Sequence, residues 1–230
     1  MNPAERFIEL LQKIREKIEE ISRLINAALS ALPAVMGFIA DRVQDAWNAM
    51  LTKLGEFWNW CAEILSNVGN PFMLNGAADG WKQMGVKVSR INDTITDLNL
   101  SVDDRWTGSA AEQYRQSVEP QRRANSSILS DYAENVSGAM TGLAGAIIAF
   151  WAGLVVAVLT LLGALAGAAV ATGTIVGLPA APVLIGIGIA TFLAAGGAGV
   201  AILYVAAGSA RATIASAQAG ITQWPQIATS

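Results

Sequence analysis

Histidine is absent from this sequence. The commonest general base, metal ligand and pH switch is therefore missing. No Ser-His-Asp or Cys-His arrangement can be assembled. Cysteine is nearly absent as well. Cys61 stands alone, which excludes an intramolecular disulfide and a cysteine-built zinc site. It lies in the apolar run 58–65, the setting of a buried, inert thiol. No Gly-rich phosphate loop stands between a strand and a helix. Charge is scarce too, at 14% of residues, where an average soluble domain carries about 25%. With a net charge of −3 and no basic run, the chain has no electrostatic footprint for nucleic acid. These absences imply a protein that is not an enzyme. They leave no cofactor, no metal, no nucleic acid and no small-molecule substrate to expect.

What is present is apolar: 53% of the 230 residues are hydrophobic and the mean hydropathy is +0.43. The charge that exists is confined to the first two parts of the chain. Residues 1–66 hold 7 basic and 9 acidic side chains, residues 67–134 hold 7 and 9 again, and only Arg211 follows. The first part, 1–66, has helical period. Phe7, Leu10, Leu11, Ile14, Ile18, Ile21 and Ile25 recur at three- and four-residue steps, with Glu9, Lys13, Glu16 and Arg23 among the wet positions between them. Pro33 interrupts this helix, and a second amphipathic run follows from Val35 to Leu65. Its Trp47, Trp58 and Trp60 suit either helix packing or headgroup depth at a membrane. The amino-terminal residues are charged throughout and do not form a cleavable secretory signal.

The second part, 67–137, opens on a segment containing Gly69, Pro71 and Gly76, which reads as a loop to residue 78. Trp81, Met84, Val88, Ile91, Ile95 and Leu98 then alternate at steps of three and four, an a/d seam that wants a partner helix. After a break at 99–109, Ser109-Ala-Ala-Glu112 has the form of a capping box. It opens a helix carrying Tyr114, Val118, Gln121, Asn125, Ile128, Tyr132 and Val136 on one side. Two helices joined this way make an antiparallel hairpin, with Gly108 free to reverse the chain.

The break reads Arg105-Trp106-Thr107-Gly108-Ser109-Ala110-Ala111-Glu112-Gln113-Tyr114. This resembles the W-x-G turn of the WXG superfamily, the helical-hairpin substrates of type VII (ESX) secretion, over about a third of the chain. The resemblance implies a turn at Trp106, Thr107 and Gly108, packing by Tyr114, and a second WXG-type protein or a further copy as partner. The family's Tyr-x-x-x-Asp/Glu export signal is not met. Val118, Val136 and Gly208 stand four residues after Tyr114, Tyr132 and Tyr204.

The third part, 138–210, is apolar. No charged residue occurs from Asn135 through Ala210, a run of 76. About 20 helical residues cross a ~30 Å hydrocarbon core, so there is room for two crossings. Gly177, Pro179 and Pro182 punctuate the run between an arm at 139–171 and an arm at 183–208. Gly138, Gly142, Gly163, Gly167, Gly196 and Gly197 permit the close helix approach used in lipid. Residues 211–230 form a short tail. The expectation is an all-α protein with amphipathic N-terminal helices, a WxG-type hairpin and a transmembrane α-hairpin. Its expected place is a membrane, reached by type VII secretion or otherwise, with the lipid bilayer as partner. Two functions fit: an oligomeric α-helical pore, or an anchored scaffold that holds another helical protein.

Overall fold

The computed structural model describes residues 3–33, 36–95, 106–174 and 177–220. Among these residues the fold is all-α. Helix α1 spans Pro3–Ser30, α2 Gly37–Asn67 and α3 Pro71–Ser89, the last tightening into a 3₁₀ turn at Arg90–Asp93. Helix α4 spans Ser109–Ser127 and passes through a π-helical segment, Ile128–Ala133, into α5, Glu134–Ala171. Helix α6 spans Ala180–Gly220. The chain divides into two compact units. One comprises Met1–Gly69 with Ile147–Ile202, the other Asn70–Ala146 with Leu203–Ser230. Each therefore combines charged and charge-free sequence.

The first unit joins α1 and α2 to residues 147–171 of α5 and 180–202 of α6. On α1 the buried positions are Phe7, Leu10, Leu11, Ile14, Ile18, Ile21 and Ile25. These are the apolar stripe that the sequence spacing marks. On α2 the buried line is Val43, Met50, Phe57 and Ile64, spaced by sevens, with Cys61 beside it. Residues that close a stripe at this spacing bury about 1.5–3 kcal/mol each of transfer free energy. The helical arms meet across a turn in which the Gly177 N–H donates to the Thr174 hydroxyl at 3.0 Å. A Cβ on Gly177 would stand 2.5 Å from the Ala171 carbonyl oxygen, so only glycine fits there. Pro179 lies in this turn, whereas Pro182 is already inside the first turn of α6 and buried. A proline is tolerated in a first turn because that N–H has no intrahelical acceptor.

The second unit pairs α3 with α4 and the π segment. Trp81 meets Tyr132 edge-on at 5.4 Å between ring centroids. A Cβ added to Gly85 would fall 2.5 Å from the Ala133 Cβ. Asn92 Nδ2 donates to the Arg122 carbonyl at 2.9 Å and to the Ser126 hydroxyl at 2.8 Å. From Trp81 and Gly85, which meet 132 and 133, to Asn92, which meets 122 and 126, the partner numbers fall, so the two helices run antiparallel. The core is made of small side chains, among them Ala78, Ala111, Ala133, Ala144 and Ala210.

Three boundaries differ from the sequence expectation. The stretch 67–78 is not all loop, because α3 starts at Pro71. Asn70 Oδ1 accepts from the Phe72 N–H at 2.9 Å, and proline occupies the first helical position. Asparagine and glycine density concealed a well-signalled N-terminus. Ser109 does not cap α4: Gly108 is the N-cap and no side-chain cap bond forms. Glu112 instead takes an ion pair from Arg115 at 2.7 Å. The tail from 211 begins as helix, since α6 continues to Gly220. Nothing in residues 211–220 breaks a helix before Gly220, and Ala217 is buried.

Candidate membrane-facing surface

In the first unit, the charge-free arms are two-sided. Ile147, Phe150, Trp151, Leu154, Val158, Leu161, Leu165 and Ala168 of α5 are buried, as are Ile185, Ile189 and Phe192 of α6. Phe192 is the hub. It packs on Phe7 of α1 at 6.4 Å and on Phe57 and Trp60 of α2 at 5.0 and 5.4 Å. Phe7 also meets Trp151 at 5.5 Å. Trp60 is thus engaged in packing, and Trp58 lies beneath the Arg15 guanidinium, 5.5 Å from its ring centre. The three tryptophans that suit either packing or headgroup depth are all half-buried, and Trp58 and Trp60 are the two with these contacts.

The opposite side of the arms is open. Val156, Leu159, Val170, Val183, Leu184, Ile187 and Ile202 are exposed, Val170 by 78%. No Asp, Glu, Lys or Arg interrupts this face. Its hydroxyls are also spent internally. Thr160 Oγ1 donates to the Val156 carbonyl at 3.0 Å and Thr191 Oγ1 to the Ile187 carbonyl at 2.9 Å. A surface with neither charge nor a free hydroxyl donor costs little to place in hydrocarbon. Sequence reasoning found the run but not this back-bonding, which the i−4 spacing of Thr160 and Thr191 could have suggested. Both arms are long and apolar enough to cross a membrane, with 28% and 22% of their most apolar windows buried inside the chain.

The outer sides of α1 and α2 have the opposite character. They carry the ion pairs Arg6–Glu9, Lys17–Glu20 and Lys53–Glu56 at 3.0, 2.6 and 2.8 Å. Beneath them Cys61 is buried, and burial pushes its thiol from 9.0 up to about 12. A thiol held neutral this way is a poor nucleophile.

The chain matches no family model, no curated protein and no solved structure. The WXG likeness spans about residues 77–137, the turn at 105–114 with a helix on each side. Within it, Gly108 adopts φ 108° and is the one residue of positive φ among those described. Trp106 tilts against Tyr114 with centroids 5.8 Å apart, yet stays 43% exposed. Among the described residues it packs against Tyr114 at the start of its own helix, and Thr107 is exposed.

The expected seam is shifted in phase. Trp81, Met84, Val88 and Ile95 are half-buried, Ile91 is 46% exposed, and Leu98 lies outside the described residues. The buried line is Pro71, Ala78 and Gly85, and Asn92 extends it through its bonds to α4. Small residues set this phase because the helices approach most closely where side chains are shortest.

The packing glycines divide likewise. Gly196 is covered by Trp60, whose ring would lie 2.5 Å from a Cβ placed there. Gly138, Gly142, Gly163, Gly167 and Gly197 have open space at that position. Gly188, against Leu161 and Ala164, and Gly199, against Phe150, are the close approaches between the arms. In the second unit, Gly138 and Gly142 line an open groove of about 480 Å³ with Ala206, Ala210 and Thr213. Among the described residues no group of three or more Cys, Asp or Glu could hold a metal ion.

Proposed function

We propose that this chain is a membrane-inserted protein whose copies assemble into an α-helical pore, and that it is a WXG-like component associated with type VII secretion. The reading requires no catalysis. One observation carries it: the uncharged outer face of α5 and α6, with its threonine hydroxyls bonded back to the helix. Residues 147–171 rise roughly 37 Å and residues 180–202 roughly 35 Å as α-helices. Both lengths suit a ~30 Å hydrocarbon core. The two arms pack directly through Gly188 and Gly199, the small-residue contact by which helices associate in lipid.

Insertion is tested by alkaline carbonate extraction of membranes from expressing cells. The protein stays in the pellet if the arms span, and its release would overturn the reading. Pore formation is tested by dye release from liposomes carrying the purified protein, and sealed liposomes would overturn it. An anchored scaffold without pore activity is the second reading. Exposed Phe72 and Met73 at the start of α3 favour it, since they offer a partner helix an apolar patch. Intact liposomes together with carbonate resistance would select that reading.

A further inference from the structure

The bundle of the first unit pairs two incompatible outer faces. The α5–α6 face carries no charge, whereas α1 and α2 carry 7 basic and 9 acidic side chains. None of these sixteen is buried. The charged helices run alongside the arms within their length, because Phe7 reaches Trp151 near the start of the α5 arm and Phe192 midway along the α6 arm, and Trp60 reaches Gly196. A closed bundle whose arms cross a bilayer therefore holds α1 and α2 at the depth of the hydrocarbon. Charged side chains cannot face lipid there without a cost of several kcal/mol in all. They need water.

We propose that the charged outer face of α1 and α2 lines a water-filled passage between several copies, each of which turns its α5–α6 face to lipid. The proposal rests on the membrane reading above and gives the pore its wall. A single copy leaves the charged face against lipid, whereas a closed ring removes that conflict for every copy. The arms alone would give a lumen of small and hydroxyl side chains; the closed bundle instead gives one with charge. Arg6, Lys17 and Lys53 are neutralised by Glu9, Glu20 and Glu56. Asp41, Asp45, Glu16, Glu19 and Glu63 remain without an ion-pair partner among the described residues, against Lys13, Arg15, Arg23 and Arg42. The wall is net acidic and favours cations.

The test uses the full chain in planar bilayers of zwitterionic phospholipid, under a KCl gradient. The native protein should show a reversal potential on the potassium side. Glu16→Lys with Glu19→Lys should move it toward the chloride side while the conductance persists. Both positions are exposed, so the variant keeps the bundle core. Cys61 supplies a second readout, since it is the sole thiol and is buried between the helices. In proteoliposomes it should resist a water-soluble maleimide, whereas Glu16→Cys should react and reduce the current. A conductance whose reversal potential ignores the lysine substitutions, with rapid labelling of Cys61, would overturn this proposal. The bundle would then have opened and the bare arms would form the path. A native protein without any conductance would overturn the pore itself.

Discussion

Trp60 stands edge-on to Phe192, its ring plane at 89° and its centroid 5.4 Å away, while the far edge of the same indole covers Gly196. One helical turn of α6 thus offers an aromatic wall and a floor without a side chain. Phe192→Ala should remove the shared partner of Phe7, Phe57 and Trp60. A fully buried aromatic truncated to alanine costs about 3–5 kcal/mol. Chemical denaturation in mild detergent, followed by tryptophan fluorescence, measures it. A loss below about 1 kcal/mol would show that α1 and α2 are not held through this residue.

Gly108 makes a different demand. Its φ of 108° and ψ of 179° are closed to side-chain-bearing residues, although a Cβ there would meet nothing within 4 Å. The cost of Gly108→Ala is therefore backbone strain alone, about 1–3 kcal/mol. Gly76→Ala is the matched control, since Gly76 lies in α3 with open space around it. That change should stabilise by up to about 1 kcal/mol. Opposite shifts in melting temperature, the larger at Gly108, check the pair, and two shifts of the same sign would refute the turn geometry.

Along α3, position matters more than size. Ile91→Asp should be nearly silent in thermal melts, within about 1 kcal/mol, because Ile91 is 46% exposed. Gly85→Ala should cost more, about 1–3 kcal/mol, since its Cβ would press on Ala133 and on the Leu129 backbone. The reverse order would mean that Ile91 is covered by another protein or copy.

Cys61 gives a pH dependence. Its folded pKa of about 12 lies above the ordinary 9.0, so between those values the unfolded chain releases a proton that the folded chain keeps. Stability is unaffected by this group below pH 9.0 and declines as the pH rises from there toward about 12. Cys61→Ser should flatten the alkaline limb of the stability curve. Alkylation of the native thiol should be slow at neutral pH and become fast in denaturant.

The helices of the first part were legible in the sequence because charge marks their wet side: Glu9, Lys13, Glu16 and Arg23 leave one stripe for the core. On α5 and α6 the same reasoning finds the helix but not its orientation. Val156 and Val158 are equally apolar, yet the first is 63% exposed and the second buried. With nothing polar to break the symmetry, only the partner decides which stripe is covered. Open glycines such as Gly163 and Gly167 look identical in sequence to Gly188 and Gly199, which touch. The α3 seam was misphased for a related reason. Scoring large residues ranks Met84 and Ile91 above Ala78, Gly85 and Asn92, which are the points of closest approach.

The order of the elements also has a consequence during synthesis. A ribosome delivers α1 and α2 before any of the uncharged run, so both amphipathic helices are complete while α5 is still being made. Domains tend to form from the amino terminus as they emerge, and exposed apolar helices in a crowded cytosol associate indiscriminately. Here the apolar stripes of α1 and α2 are waiting when Trp151, and later Phe192, leave the exit tunnel. One side of each arm is claimed at once by its own chain. The side that remains uncovered is the one that the proposed insertion into a membrane would use.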